Sequence, residues 1–216
     1  MKKAFTLLEL IFVIVVIGIL AAVIVPNTHR SPLREAAVQL ISHIRYTQHL
    51  AMVDDKYNYF NSNAAENSTT HWYRSRWQLV FTDTRRRYSI YSDGLSGGAY
   101  DGNANEFEMA VDPNNKAKVL SSGSNGFLST NAKANKKLNL KDSYGISSVT
   151  MNGGCNGDTR ISFDHFGRPI SGTISTTTTP YSSNKLLVST CNMVLNSSEG
   201  NVTIAIEPET GYTHIL

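Results

Sequence analysis

KKAFTLLELIFVIVVIGILAAVIVP, residues Lys2–Pro26, is an apolar run broken by a single acid, Glu9. From Phe5 to Val25 it makes a helix of about 32 Å at ~1.5 Å per residue, close to the ~30 Å of a bilayer's hydrocarbon core. Lys2 and Lys3 stand directly before it, which places the N-terminus in the cytoplasm and the remainder outside. A secretory signal has a shorter apolar region and a small-residue cleavage site. Here the run reaches Pro26, and only Ala21 and Ala22 approach such a site. A plain signal anchor accounts for the span but not for Glu9. A carboxylate near the centre of a membrane helix costs about 2.5–3.5 kcal/mol. Either Glu9, a turn from the cytoplasmic edge, reaches the headgroups, or it has a partner.

The 216 residues, 41% hydrophobic and 9% aromatic, suffice for one domain of moderate size plus an appendage. Much of the apolar content lies in residues 1–26. The rest is rich in Asn, Ser, Thr and Gly and reads as a polar, loop-heavy, exported β domain. The net charge is +3; without Lys2 and Lys3, 18 basic side chains face 17 acidic ones, so charge alone says little for nucleic acid. The two cysteines, Cys155 and Cys191, pair most simply with each other in an oxidising compartment; two free thiols are the alternative. A bridge there closes a loop of about 36 residues and stabilises by roughly 3–4 kcal/mol.

In LREAAVQLISHIRYTQHLAMV, Leu33, Ala37, Leu40, Ile44 and Ala51 recur at spacings of one apolar helical face. Ser31 can cap this helix and Pro32 suits its first position. Pro26 and Pro32 are expected to kink the chain between the two helical halves. Residues 57–70 read as loop. RWQLVFT and RYSIYS alternate as strands of a hairpin around DTRRR, and EFEMAVD with AKVLS suggests a second pair. GISSVTMN, TRISFDHFGRPI, NKLLVST and NVTIAIEPETGYTHI are further strand candidates, the last with a turn at Pro208–Gly211. SGTISTTTTPYSSN reads as a solvated low-complexity loop.

Several side-chain patterns invite chemistry. Arg74, Arg76, Arg85, Arg86 and Arg87 are interleaved with Trp72, Tyr73, Trp77 and Tyr88, a mixture that can hold phosphates and stack bases, or simply make a hairpin with basic solvent positions. Asp101, Asn103, Asn105 and Asp112 fall at positions one, three, five and twelve of a calcium loop, but Glu106 stands where that loop needs glycine; an ordinary Asn/Asp turn is the alternative. His165 and His214 have no nucleophile or carboxylate pair beside them in the pattern.

The N-terminal stretch closely resembles the class III signal of type IV prepilins and type II secretion pseudopilins: basic residues, a small residue, then Phe, Thr, Leu, Leu, Glu and the apolar run to Pro26. The resemblance implies cleavage between Ala4 and Phe5 by prepilin peptidase and methylation of the Phe5 amine, although Ala4 stands where the family usually has Gly. It implies that Glu9 neutralises the Phe5 ammonium of a neighbouring subunit, an attraction that grows as the surroundings become less polar. The fold then expected is α+β and type IV pilin-like. It has a leader at 1–4, a transmembrane and polymerisation helix at 5–26, an amphipathic helical half at 27–55 and a periplasmic antiparallel β domain at 56–216. Its expected partners are other pilin or pseudopilin subunits in a helical fibre, the peptidase, the inner-membrane assembly platform and, before assembly, lipid. No cofactor is implied. RWQLVFTD…RRYSIYSDG, ISFDHFGRPISG and VTIAIEPETGYTHI also resemble the H-type pseudopilins and FimT minor pilins. Some of the latter bind DNA through basic residues near the C-terminus, where this chain has ETGYTHIL without an arginine. A minor structural subunit is the leading reading, a DNA-uptake pilin the next, and a membrane-anchored periplasmic enzyme the last.

Overall fold

A computed structural model of the chain describes residues 6–24, 31–54, 56–57, 71–94, 100–124, 126–182 and 185–216. The chain divides into two compact units, Met1–Ser31 and Pro32–Leu216. In the first, α1 spans Leu7–Ile24 and is apolar on every side except at Glu9. Its 18 residues measure about 27 Å, and among the described residues no helix is long and apolar enough to cross a membrane. The expected span of 5–26 runs past both ends of α1 into residues outside the description. Pro26, and any kink there, lies outside it too.

The second unit opens with α2, Pro32–Val53. Pro32 is its first residue, where the missing N–H is no loss, so this proline starts a helix. Leu33, Ala37, Leu40, Ile44 and Ala51 are all buried, as their spacing predicts, and Ala36, Ile41, His43 and Thr47 widen the buried face. That face meets strands from two sheets. The first has the order β2-β1-β6-β7, with β1 at Trp77–Thr82, β2 at Arg87–Ser92, β6 at Arg160–Phe163 and β7 at Pro169–Ser171. The second has the order β10-β9-β8-β5, with β5 at Ile146–Gly153, β8 at Cys191–Ser197, β9 at Gly200–Ile206 and β10 at Thr213–Ile215. All these pairings are antiparallel. A short pair, β3 (Val111–Asp112) and β4 (Asn115–Val119), a one-turn helix, α3 (Leu140–Tyr144), and two 3-10 turns, Trp72–Ser75 and Lys136–Leu138, complete the elements among the described residues. Leu40, Ile44, Leu79, Ile161, Phe163, Met193 and Ile204 share one core beneath α2, so the helix is the seam on which both sheets close.

The hairpins expected around residues 83–86 and 207–212 both form. TRISFDHFGRPI is two strands, turned by Asp164, whose carboxylate accepts from the N–H groups of Phe166 and Arg168 and from Arg168 Nε. NKLLVST is no strand; only Leu186 bridges, to Ile170. The strand begins one residue later, at Cys191, and is interior to the second sheet, with Cys191, Met193 and Leu195 fully buried on one face. Of EFEMAVD, only Val111 and Asp112 are strand. The Ser/Thr-rich stretch is no free loop, for Ile174 is buried.

Candidate functional site

Thr6 and Glu9 organise the first turn of α1. The Thr6 N–H donates to Glu9 Oε2 at 3.0 Å and the Thr6 hydroxyl donates to the same oxygen at 3.1 Å. In return, the Glu9 N–H donates to Thr6 Oγ1 at 3.3 Å. This is a capping box, in which an N-cap hydroxyl and the acid three residues on satisfy each other's backbone donors. The acid also stands at the positive end of the helix dipole. Both residues are exposed, and among the described residues Glu9 has hydrogen-bond donors but no counter-charge. Ala4 and Phe5, the expected cleavage pair, lie outside the described residues. The Thr-x-x-Glu pattern at 6–9 is the sequence signature of this box, overshadowed by the apolar run that it opens.

Residues 1–25 match the family model of the prokaryotic N-terminal methylation motif. The chain carries the class III signal of type IV pilins and pseudopilins. No curated protein and no solved structure matches the chain. The motif indicates a pilin-type structural protein, implies processing by prepilin peptidase and assembly with other pilin subunits, and suggests a membrane anchor. The α+β arrangement of helix and antiparallel sheets is consistent with a pilin-like fold.

The other candidate residues fall in separate places. Cys155, in the turn after β5, is bonded to Cys191, the first residue of β8, with Cα atoms 5.1 Å apart. The five arginines stand in two groups at opposite ends of β1, which at ~3.3 Å per residue is about 20 Å long. Arg76 is 5% exposed, donates from Nη1 to the Pro180 carbonyl at 2.7 Å, and lies between the rings of Trp72 (5.1 Å) and Tyr181 (5.0 Å). Arg74 Nε donates to the Thr177 carbonyl. At the other end, Arg85 donates to the Gly157 carbonyl, while Arg86 and Arg87 pair with Asp83. These contacts tie loops to β1 and do not gather one basic face.

The calcium spacing resolves into unrelated turns. Asp101 accepts from the Asn103 N–H, whereas Asp112 accepts from the Asn114 N–H and from Asn135 Nδ2 at 2.7 Å. Asn105 gives its N–H to Glu108. Among the described residues no group of three or more His, Cys, Asp or Glu is placed to hold a metal ion. His214 faces Glu207 at 3.9 Å, and the His165 ring lies tilted against that of Phe166.

A polar network under α2 joins residues so far apart in the chain that no local pattern signals it. His43 Nδ1 lies 2.7 Å from the Tyr88 hydroxyl, Gln39 Nε2 donates to that hydroxyl at 2.9 Å, and Tyr144 OH donates to Gln39 Oε1 at 2.6 Å. Burial lowers the His43 pKa to about 4, against the opposing pull of Asp112, so the ring is neutral at pH 7. Beside this network an open cleft of about 660 Å³ runs between α2 and the β3–β4 hairpin.

Proposed function

We propose that the chain is a minor pseudopilin or minor pilin, a structural subunit of a type II secretion pseudopilus or a type IV pilus. It is held in the inner membrane by residues 5–26, with its N-terminus in the cytoplasm and its β domain in the periplasm. Prepilin peptidase cuts between Ala4 and Phe5 and methylates the new amine, and the assembly platform then moves the subunit from lipid into a helical fibre. The observation that carries this reading is the methylation motif over residues 1–25 together with Glu9 in the opening turn of an otherwise apolar helix. An acid there, bonded among the described residues only by Thr6, is free to exchange those two donors for a charged partner, the Phe5 ammonium of a neighbour. In a low-dielectric surrounding the ionic contact is stronger than the neutral one it replaces.

The test is mass spectrometry of the mature chain from a host that supplies the peptidase. The expected product begins at N-methylated Phe5. An intact Met1, or a cut near Ala22, overturns the assignment.

A further inference from the structure

The cleft beside α2 is bordered by three ammonium groups, Lys118, Lys136 and Lys137, over a floor of Gln39, Ser42 and His43. None of the three lysines makes an ion pair among the described residues; Lys118 donates only to the Ala132 carbonyl. Asp112, the cleft's one acid, is buried and has both oxygens occupied by Asn114 and Asn135. The cleft is therefore positive, polar and of the size that takes a compact ligand, roughly 300–1,000 Å³. Among the described residues His43 is the only ring that lines it, so it offers little for stacking a base or a sugar.

The same domain presents a complementary feature elsewhere. The β9–β10 turn carries Glu209 at its tip, exposed and without an ion pair or side-chain hydrogen bond among the described residues. Glu209 is held at φ 59°, in the left-handed region that non-glycine residues rarely occupy. The turn that holds it is braced: the Gly211 N–H donates to the Glu207 carbonyl at 3.1 Å, the Glu207 N–H to the Tyr212 carbonyl at 2.9 Å, and Gln48 Nε2 to the Thr210 carbonyl at 2.8 Å. A strained residue kept rigid at an exposed tip is a presented group.

The two features sit on opposite flanks of one helix. Gln39 borders the cleft and Gln48 braces the turn; nine residues apart, they point about 180° away from each other and lie about 14 Å apart along α2. One copy cannot bring its own turn round the helix to its own cleft.

We infer that the Glu209 turn of one copy docks into the Lys118–Lys136–Lys137 cleft of the next. The contact is heterologous, since different surfaces meet, and such contacts extend into filaments unless the rotation closes a ring. Val38, exposed at the cleft, gives the turn's Pro208 an apolar neighbour. This inference rests on the fibre reading and adds that copies of this chain are adjacent within the assembly.

The experiment uses the full chain in membranes of a host that supplies the peptidase and assembly proteins, with isotopically labelled and unlabelled copies mixed. A carbodiimide couples a lysine to a touching carboxylate as an amide, and the expelled oxygen leaves in the urea by-product. The expected result is a mixed-isotope peptide joining Glu209 to Lys118, Lys136 or Lys137. Coupling is expected to fall about ten-fold in the Lys136→Glu/Lys137→Glu chain and to return when Glu209→Lys is added to it. A chain that assembles while Glu209 stays uncoupled, or one whose coupling survives the charge reversal, overturns the contact and leaves the fibre reading standing. A chain that forms no assembly overturns both.

Discussion

Thr6 Oγ1 and Glu9 exchange bonds in both directions: the hydroxyl donates to Glu9 Oε2 at 3.1 Å and accepts from the Glu9 N–H at 3.3 Å. The carboxylate thus has two separable properties, an acceptor that caps α1 and a charge that the cap does not neutralise. Glu9→Gln keeps the acceptor and removes the charge, whereas Thr6→Ala removes the cap for about 1 kcal/mol and leaves the charge. We predict that Glu9→Gln lowers recovery of the chain in the sheared fibre fraction at least ten-fold, and that Thr6→Ala lowers it only a few-fold. Immunoblots of fibre and membrane fractions measure both. A loss in Glu9→Gln no greater than that in Thr6→Ala would refute a role for the charge and leave Glu9 as a cap.

His43 makes the folded chain sensitive to acid. Its folded pKa of about 4 lies below the unfolded value near 6.5 because burial disfavours the imidazolium. Between those values the unfolded chain takes up a proton that the native chain refuses. Its contribution is therefore intact above pH 6.5 and is lost as pH falls toward 4, by on the order of 3 kcal/mol at most. Urea unfolding at pH 7 and pH 4.5 is expected to show a smaller pH difference for His43→Gln than for the natural chain. An unchanged difference would remove His43 as its source.

Asp93 acts in the opposite direction. Its side chain is buried, Oδ2 accepts from the Gly102 N–H at 2.9 Å, and Oδ1 has no hydrogen-bond partner among the described residues. Burial pushes its pKa up to about 7, the Gly102 bond opposes this, and Glu108 and Asp101 push it further up. The folded state favours the protonated acid, so stability present at pH 4 is lost as pH rises through 7. Asp93→Asn, neutral at every pH, is expected to be more stable than the natural chain at pH 8 by roughly 1–3 kcal/mol and to lose that advantage near pH 4. Chemical unfolding of both chains at the two pH values decides it.

The Cys155–Cys191 bond closes a loop with a sequence separation of 36 and ties the turn after β5 to the start of β8. Replacing both residues with Ser should remove about 3–4 kcal/mol. For a domain of this size that is roughly a 10 °C fall in Tm. A calorimetric scan with and without reductant gives the same comparison on the unmutated chain, and a Tm indifferent to reductant would contradict it.

What was legible in the sequence is what local spacing governs. The buried stripe of α2, the hairpins after Thr82 and Ile206 and the pairing of two cysteines all follow from periodicity, turn chemistry and compartment. β8 was missed because Val194 stands on the outer side of an otherwise alternating strand and blurs the pattern, although Met193 and Leu195 mark the inner face. The division into two sheets rests on pairings such as β5 with β8 and β1 with β6, whose register no local pattern states. The arginines misled for a similar reason. Arg76 looked like a free cation until the chain brought Pro180 and Tyr181 to it from across the domain. Guanidinium stacking between rings is a packing interaction as readily as a binding one.

Arg45 Nη2 reaches the Thr213 carbonyl across 168 residues of sequence, and Gln48 reaches that of Thr210 across 162. Translation therefore delivers α2 long before the strands that cover its far flank. Until β9 and β10 arrive, the part of the helix's apolar stripe that packs on them stays uncovered, a surface of the kind that chaperones hold and proteases attack. A chain interrupted before residue 200 lacks both strands and never hides it. The same seam that joins the two sheets is thus a certificate of completeness.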